Sequence, residues 1–115
     1  MKSGDTRILS ISNEESILTT RKLVLQQLGY GVVSALGFAE GLEQCKSGGF
    51  DLCILGSTIE EPERQALVPA FRANSAGRVI VLKKNPEENV PEADFAIEPA
   101  QLLATLARIA ADSPA

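Results

Sequence analysis

Histidine is absent from these 115 residues, and with it go the usual general base, the usual zinc ligand and any imidazole-borne phosphoryl transfer. Catalytic triads fall away on that ground. No apolar run approaches the ~20 residues that a bilayer span needs, and the opening Met1-Lys2-Ser3-Gly4-Asp5-Thr6 lacks the long apolar stretch of a secretory signal. A cytoplasmic protein with no membrane partner is expected, and the two cysteines, Cys45 and Cys53, suit a compartment where thiols stay reduced. Basic residues are in deficit: 11 Lys and Arg stand against 15 Asp and Glu, a net charge of -4. That balance gives no general attraction for a phosphate backbone and argues against nucleic acid. What remains, 44% hydrophobic and 23% charged residues, is the composition of one globular domain. A chain of this size hides roughly two-thirds of the surface it exposes unfolded, so it needs no disulfide or metal staple.

The pattern along the chain alternates. Arg7-Ile8-Leu9-Ser10-Ile11-Ser12 reads as a strand, and Ser12-Asn13-Glu14-Glu15 has the capping-box form that opens a helix. Ile17, Leu18, Val24, Leu25 and Leu28 follow helical spacing with Arg21 intruding on the inner side, where it is expected to snorkel past the core edge. A second strand over Tyr30 and the residues to Ala35 leads to a helix carrying Phe38, Leu42 and Cys45, closed by Gly48-Gly49. Phe50-Asp51-Leu52-Cys53-Ile54-Leu55 is nearly unbroken apolar sequence, the mark of a strand covered on both faces.

Glu61-Pro62-Glu63 suits a helix start, Ala66, Leu67, Ala70 and Phe71 supply its apolar side, and Pro69 is expected to kink or split it. Arg78-Val79-Ile80-Val81-Leu82 and the weaker Ala93-Asp94-Phe95-Ala96-Ile97 complete five strands. In the last helix Leu102, Leu103, Leu106, Ile109 and Ala110 form the predicted inner stripe. Only nine residues separate Lys83 from Ala93, so the helix between the fourth and fifth strands is predicted to be vestigial, near residues 86–89, with Pro91 as its stop.

Strand-helix alternation with buried central strands implies a parallel sheet with helices on both faces. Such open sheets place their working residues outside the carboxyl ends of the strands, here Ser12-Asn13-Glu14, Gly56-Ser57-Thr58, Lys83-Lys84 and Glu98-Pro99. The domain is expected over residues 7–111, with residues 1–6 a flexible N-terminus and 112–115 a C-terminal tail.

Four segments resemble the CheY-like receiver domain of bacterial response regulators. Ile8-Leu9-Ser10-Ile11 is similar to that family's first strand, and Leu28-Gly29-Tyr30-Gly31-Val32 to its Gly-Tyr-x-Val approach to the second. Phe50-Asp51-Leu52-Cys53-Ile54-Leu55 is similar to its third strand, and Ala93-Asp94-Phe95-Ala96-Ile97-Glu98-Pro99 to its Ala-Asp-Asp-Tyr-x-x-Lys-Pro end. The resemblance implies a flavodoxin-like (CheY-like) doubly wound five-stranded parallel sheet in the order 2-1-3-4-5, with a shortened fourth helix. It also implies a role in two-component signal transduction or a phosphorelay, with a histidine kinase, a phosphotransfer protein or another receiver or output domain as partner.

The departures from that family are as informative as the matches. Its acidic, Mg²⁺-holding pair is matched by Ser12 and Asn13, with Glu14 the nearest carboxylate; its phosphoacceptor aspartate is matched by Gly56. Its switch hydroxyl is matched by Lys83, and its phosphate-binding lysine by Glu98, whose charge repels an anion. Phe95 and Pro99 keep the switch region, and in the family the proline usually follows a cis peptide bond. The resemblance therefore implies a pseudo-receiver, not an enzyme, with no metal and no cofactor, acting by protein-protein interaction. Loss of the fourth helix removes part of the face through which receivers commonly signal.

Ser12 and Glu15 are explained by helix capping alone. Lys83 and Glu98, ending neighbouring strands, form either an ion pair or two solvated charges. An alternative function is a small-molecule or anion sensor in which Ser57, Thr58, Lys83 and Lys84 supply convergent donors. Cys45 and Cys53 read as small buried hydrophobes. Ala100, Ala104, Ala107 and Ala111 form a smooth strip on the last helix, either a docking surface for another helix or simply alanine's preference for helix.

Overall fold

The computed structural model describes residues 6–112. Five strands, β1 (Arg7–Ser12), β2 (Gly31–Leu36), β3 (Leu52–Leu55), β4 (Arg78–Leu82) and β5 (Phe95–Ile97), form one parallel sheet in the order β2-β1-β3-β4-β5. Four helices accompany them: α1 (Glu15–Gln27), α2 (Gly37–Ser47), α3 (Glu61–Asn74) and α4 (Leu102–Asp112). A 3-10 turn, Pro99–Gln101, leads into the last.

Alternation along the strands divides the core into two layers. Ile8, Ile54, Ile80 and Leu82 face α1 and α4, with Leu25, Leu102 and Leu106 against them. Leu9, Ile11, Cys53, Leu55, Val79 and Val81 face α2 and α3, where Cys45, Leu67 and Phe71 close over them. All four residues of β3 are buried, as expected of a central strand in a doubly wound sheet.

Several local expectations need correction. Ser12 does not cap α1: the N-cap is Glu14, whose backbone N–H donates to Ser12 Oγ at 3.1 Å, so the serine makes a tight turn that directs the chain into the helix. Pro69 neither ends nor divides α3, which runs unbroken across it. The proline is exposed, and the Gln65 carbonyl deprived of a donor belongs to an exposed residue that water can serve. In α4 the inward side chains are Leu102, Thr105 and Leu106, with Ile109 half-buried; Leu103 is 48% exposed and Ala110 is exposed. Each residue turns about 100° from the last, which carries Leu103 off the core and toward α1.

The shortened helix expected at residues 86–89 is reduced further, to a turn. Glu88 N–H donates to the Asn85 carbonyl at 3.2 Å and Glu87 N–H to Asn85 Oδ1 at 3.1 Å, and no further helical bond follows. The crossover is too short to build a helix and still return to the sheet, so it runs through two turns and lays Val90 over the α2/α3 layer. Beneath it the buried Arg64 of α3 binds Glu92 (Nε to Oε2, 2.7 Å) and Glu88 (Nη1 to Oε2, 3.3 Å). Asp94 then accepts the Val79 N–H at 2.7 Å and sets the register of β5.

Candidate functional site

The carboxyl ends of β1, β3, β4 and β5 meet at one rim. At its centre Gly56 follows β3, its N–H donating to the Ile11 carbonyl at 2.8 Å. A Cβ on Gly56 would stand 3.3 Å from Ile11 O, Ser12 Cβ and Ser12 Oγ, so even a small side chain must displace Ser12 slightly. Thr58 closes the space between β1 and β3. Its Oγ1 lies 3.4 Å from Ser12 Oγ and accepts the Asn13 N–H at 3.1 Å, while Asn13 Nδ2 donates to the Thr58 carbonyl at 2.9 Å. Ser12, Asn13 and Gly56 thus come together as expected, and Thr58 joins them. Glu14 is exposed at the start of α1. The centre of the rim consists of hydroxyls, an amide and backbone, a set suited to neutral hydrogen bonding.

Lys83 and Glu98 do not join that centre, nor each other. Lys83 Nζ donates to the Pro86 carbonyl at 2.9 Å, its backbone N–H to Ile97 O at 2.8 Å. Glu98 is the N-cap of the 3-10 turn, its N–H donating to Gln101 Oε1 at 3.0 Å. The two charges are separate, as the simpler of the alternatives had it. Lys84 turns away as well, binding Glu60 Oε1 through Nζ at 2.7 Å. The two lysines therefore do not converge on Ser57 and Thr58, and the strand-end anion site loses its two cationic donors. Phe95 is half-buried in β5, and the peptide before Pro99 is trans, since the described residues contain no cis bond.

Ala100, in the 3-10 turn, and Ala104 and Ala107, on α4, are exposed, so the predicted strip begins before the helix does. The side chain of Ala111 lies outside the described residues, as do residues 1–5 and 113–115. Cys45 and Cys53 are both buried in the α2/α3 layer. The hydrogen bond that the Cys53 thiol donates to Cys45, together with burial, pushes Cys53 well above its usual range, so it stays protonated.

Two arginines hold positions that the sequence reading missed or misplaced. Arg64 is 3% exposed, on the same stripe of α3 as Leu67, Val68 and Phe71. The spacing 64, 67, 68, 71 is a signal that would have placed it inside. Arg21 does not snorkel outward. It passes under α1 and donates from Nη1 to Ser10 Oγ of β1 at 3.1 Å, and burial pushes its guanidinium below the usual range.

No protein-family model matches the sequence, and no curated protein matches it. Solved structures do. A CheY-like response regulator receiver domain from Methylobacillus flagellatus superposes with a TM-score of 0.75 at 19% identity, covering 90% of this chain and 98% of that one. The response regulator protein TrrA of Thermotoga maritima, solved with Mg²⁺ and BeF, gives 0.74 at 22% identity over 92% and 96%. A structure of histidine kinase ThkA in complex with TrrA gives 0.71 at 24% identity over 90% and 97%. The chain has the CheY-like receiver fold.

Proposed function

We propose that this chain is a pseudo-receiver, a signalling module of the receiver fold that acts by binding protein partners and carries no phosphoryl group. The observation that carries this reading is Gly56: the residue at the carboxyl end of β3 has no side chain to accept phosphate, and Ser12 and Ile11 crowd the space beside it. Around it stand Ser12, Asn13 and Thr58 in mutual hydrogen bonds, where a divalent cation would require carboxylates. Lys83 and Glu98 are occupied elsewhere and do not form a phosphoryl grip. Nothing at this rim pairs a nucleophile with a base, so the reading is of a non-enzyme.

Because TrrA is found in complex with a histidine kinase, the partner class proposed is a histidine kinase, a phosphotransfer protein or a second receiver or output domain, met in the bacterial cytoplasm. The strip Ala100, Ala104, Ala107 and Ala111 is the proposed docking surface, since small neutral side chains let another helix approach closely. The turn that replaces the helix between β4 and β5 leaves no helical surface there for a partner to read.

The test is intact-mass analysis after acetyl phosphate with Mg²⁺, beside amide NMR spectra in millimolar Mg²⁺. No adduct and no saturable shift are expected. A gain of one phosphoryl group, or saturable shifts clustered at Glu14, Gly56 and Ser57, overturns the reading.

A further inference from the structure

Between α1 and α4, on the opposite side of the molecule from α2 and α3, runs a groove of about 400 Å³. This volume lies within the ~300–1,000 Å³ of small-molecule sites. Its walls are apolar: Ile17 and Val24 from α1, Leu102 and Leu103 from α4, with Leu82 and Pro99 at the strand end. It is open because α4 turns Leu103 toward α1 without covering Val24, and both remain accessible at 48% and 36%.

Arg21 lines this groove, and its charge is uncompensated within the described residues. Their ion pairs belong to Arg64, Arg72 and Lys84, and the one hydrogen bond of the Arg21 guanidinium goes to a neutral hydroxyl, Ser10 Oγ. A guanidinium offers five N–H donors. The contrast with Arg64 is instructive. That arginine is fully buried where Arg21 is half-buried, and it is met by Glu61, Glu88 and Glu92. A partly desolvated cation without a counter-charge is costly, and a fold that supplies three carboxylates to the buried Arg64 supplies none, among the described residues, to the half-buried Arg21. The Ser16 and Thr20 hydroxyls stand on the same wall, adding neutral donors beside the charge.

We propose that this groove binds a small carboxylate with an apolar body, the carboxylate accepting hydrogen bonds from the Arg21 guanidinium and the apolar body lying along Val24 and Leu103. Arginine pairs with carboxylates in a bidentate fork, which fixes the orientation of the ligand, and the apolar walls supply burial for the rest. Of the strand-end rim the groove takes in Pro99 but none of Ser12, Asn13, Gly56 or Lys83, so it stands or falls separately from the pseudo-receiver reading.

The experiment titrates the whole chain with octanoate, and in parallel with 1-octanol, following amide shifts. Octanoate is expected to give saturable shifts at Arg21, Val24 and Leu103, with 1-octanol binding at least tenfold more weakly. Arg21→Gln should bring octanoate down to the affinity of the alcohol. Leu103→Trp, made at an exposed position that does not contribute to the core, should fill the groove and abolish binding of both. Absence of saturable shifts, equal affinity for octanoate and 1-octanol, or unchanged octanoate affinity in a folded Arg21→Gln variant would overturn the proposal. So would concentration-dependent shifts at the same residues without ligand, which would assign the groove to a second copy of the chain.

Discussion

Arg64 Nε lies 2.7 Å from Glu92 Oε2, joining the first turn of α3 to the crossover between β4 and β5. The contact stands where a helix would otherwise cover the sheet. With no helix to bury its own backbone polar groups, the crossover is held from below by this guanidinium, and from its end by Arg72, which pairs with Asp94 at 3.1 Å and donates to the Glu92 carbonyl at 2.9 Å. Val90 is the apolar plug that the bonds keep in place.

Replacing Arg64 with methionine should therefore loosen the crossover before anything else. The guanidinium is buried, but its partners Glu88 and Glu92 keep about a fifth of their surface in water and can rehydrate. The expected loss is about 2 kcal/mol, below the ~3–5 kcal/mol of a fully buried pair. Urea unfolding gives the magnitude, and amide exchange locates it: protection should fall at Val90 and Ala93 while β1 and β3 stay protected.

Acid should act through the same contact. Burial pushes the Glu92 carboxyl up, but the hydrogen bond from Arg64, its own backbone N–H and the Arg64 charge together bring it below its usual value. A folded value below the unfolded one means stabilisation that is complete above the ordinary glutamate pKa of ~4.3 and lost as pH falls through the folded value. Glu92→Gln should be less stable than the parent at pH 7, and the gap between them should narrow as pH falls below about 4. A gap that widens on acidification would mean that Glu92 is not the group titrating.

Most element boundaries could be read from the sequence because they rest on local signals, while the strand order followed from the family resemblance and the right-handed crossover rule. The short apolar run of β1, the closed apolar run of β3 and the glycines after α1 and α2 each act within a few residues. What could not be read depends on partners far along the chain. Arg64 binds residues 24 and 28 positions away, and the sequence holds no sign of which carboxylates those are. Arg21 looked like a snorkelling residue because its partner, Ser10, appeared only as part of a strand. At the strand-end rim, Ser12, Asn13, Gly56 and Thr58 were all legible as strand-end residues, but the bonds by which Thr58 joins Ser12 and Asn13 were not. Those bonds join residues 45 and 46 positions apart, and no local pattern marks such a pairing.

Two glycines at element ends should respond oppositely to alanine. Gly48 closes α2 with φ of +75°, and a Cβ there would run into the Asn74 carbonyl oxygen. Gly48→Ala should cost more than about 1 kcal/mol, since both the backbone conformation and the space oppose it. Gly31 opens β2 outside the positive-φ group, and its Cβ would meet only Thr6 O at 3.6 Å, an ordinary contact. Gly31→Ala should be neutral or slightly stabilising by restricting the unfolded chain. Thermal unfolding of the two variants side by side checks the pair.

Restoring the missing acceptor should not restore phosphorylation. In Gly56→Asp the new Cβ sits 3.3 Å from Ile11 O and from Ser12 Cβ and Oγ, a crowding that a small shift of Ser12 relieves, so the variant should fold. Its carboxylate would face Ser12, Asn13 and Thr58, which supply neutral oxygens and an amide, whereas Mg²⁺ is generally held through one or two carboxylates besides the phosphate. Lys83 would remain on the Pro86 carbonyl, and Glu98 would add a negative charge at the end of β5. The single variant should therefore gain no phosphoryl group from acetyl phosphate with Mg²⁺ in intact-mass analysis. A stoichiometric gain would mean that other side chains already hold the metal and the phosphoryl oxygens, and that Gly56 alone separates this rim from a working phosphoacceptor site.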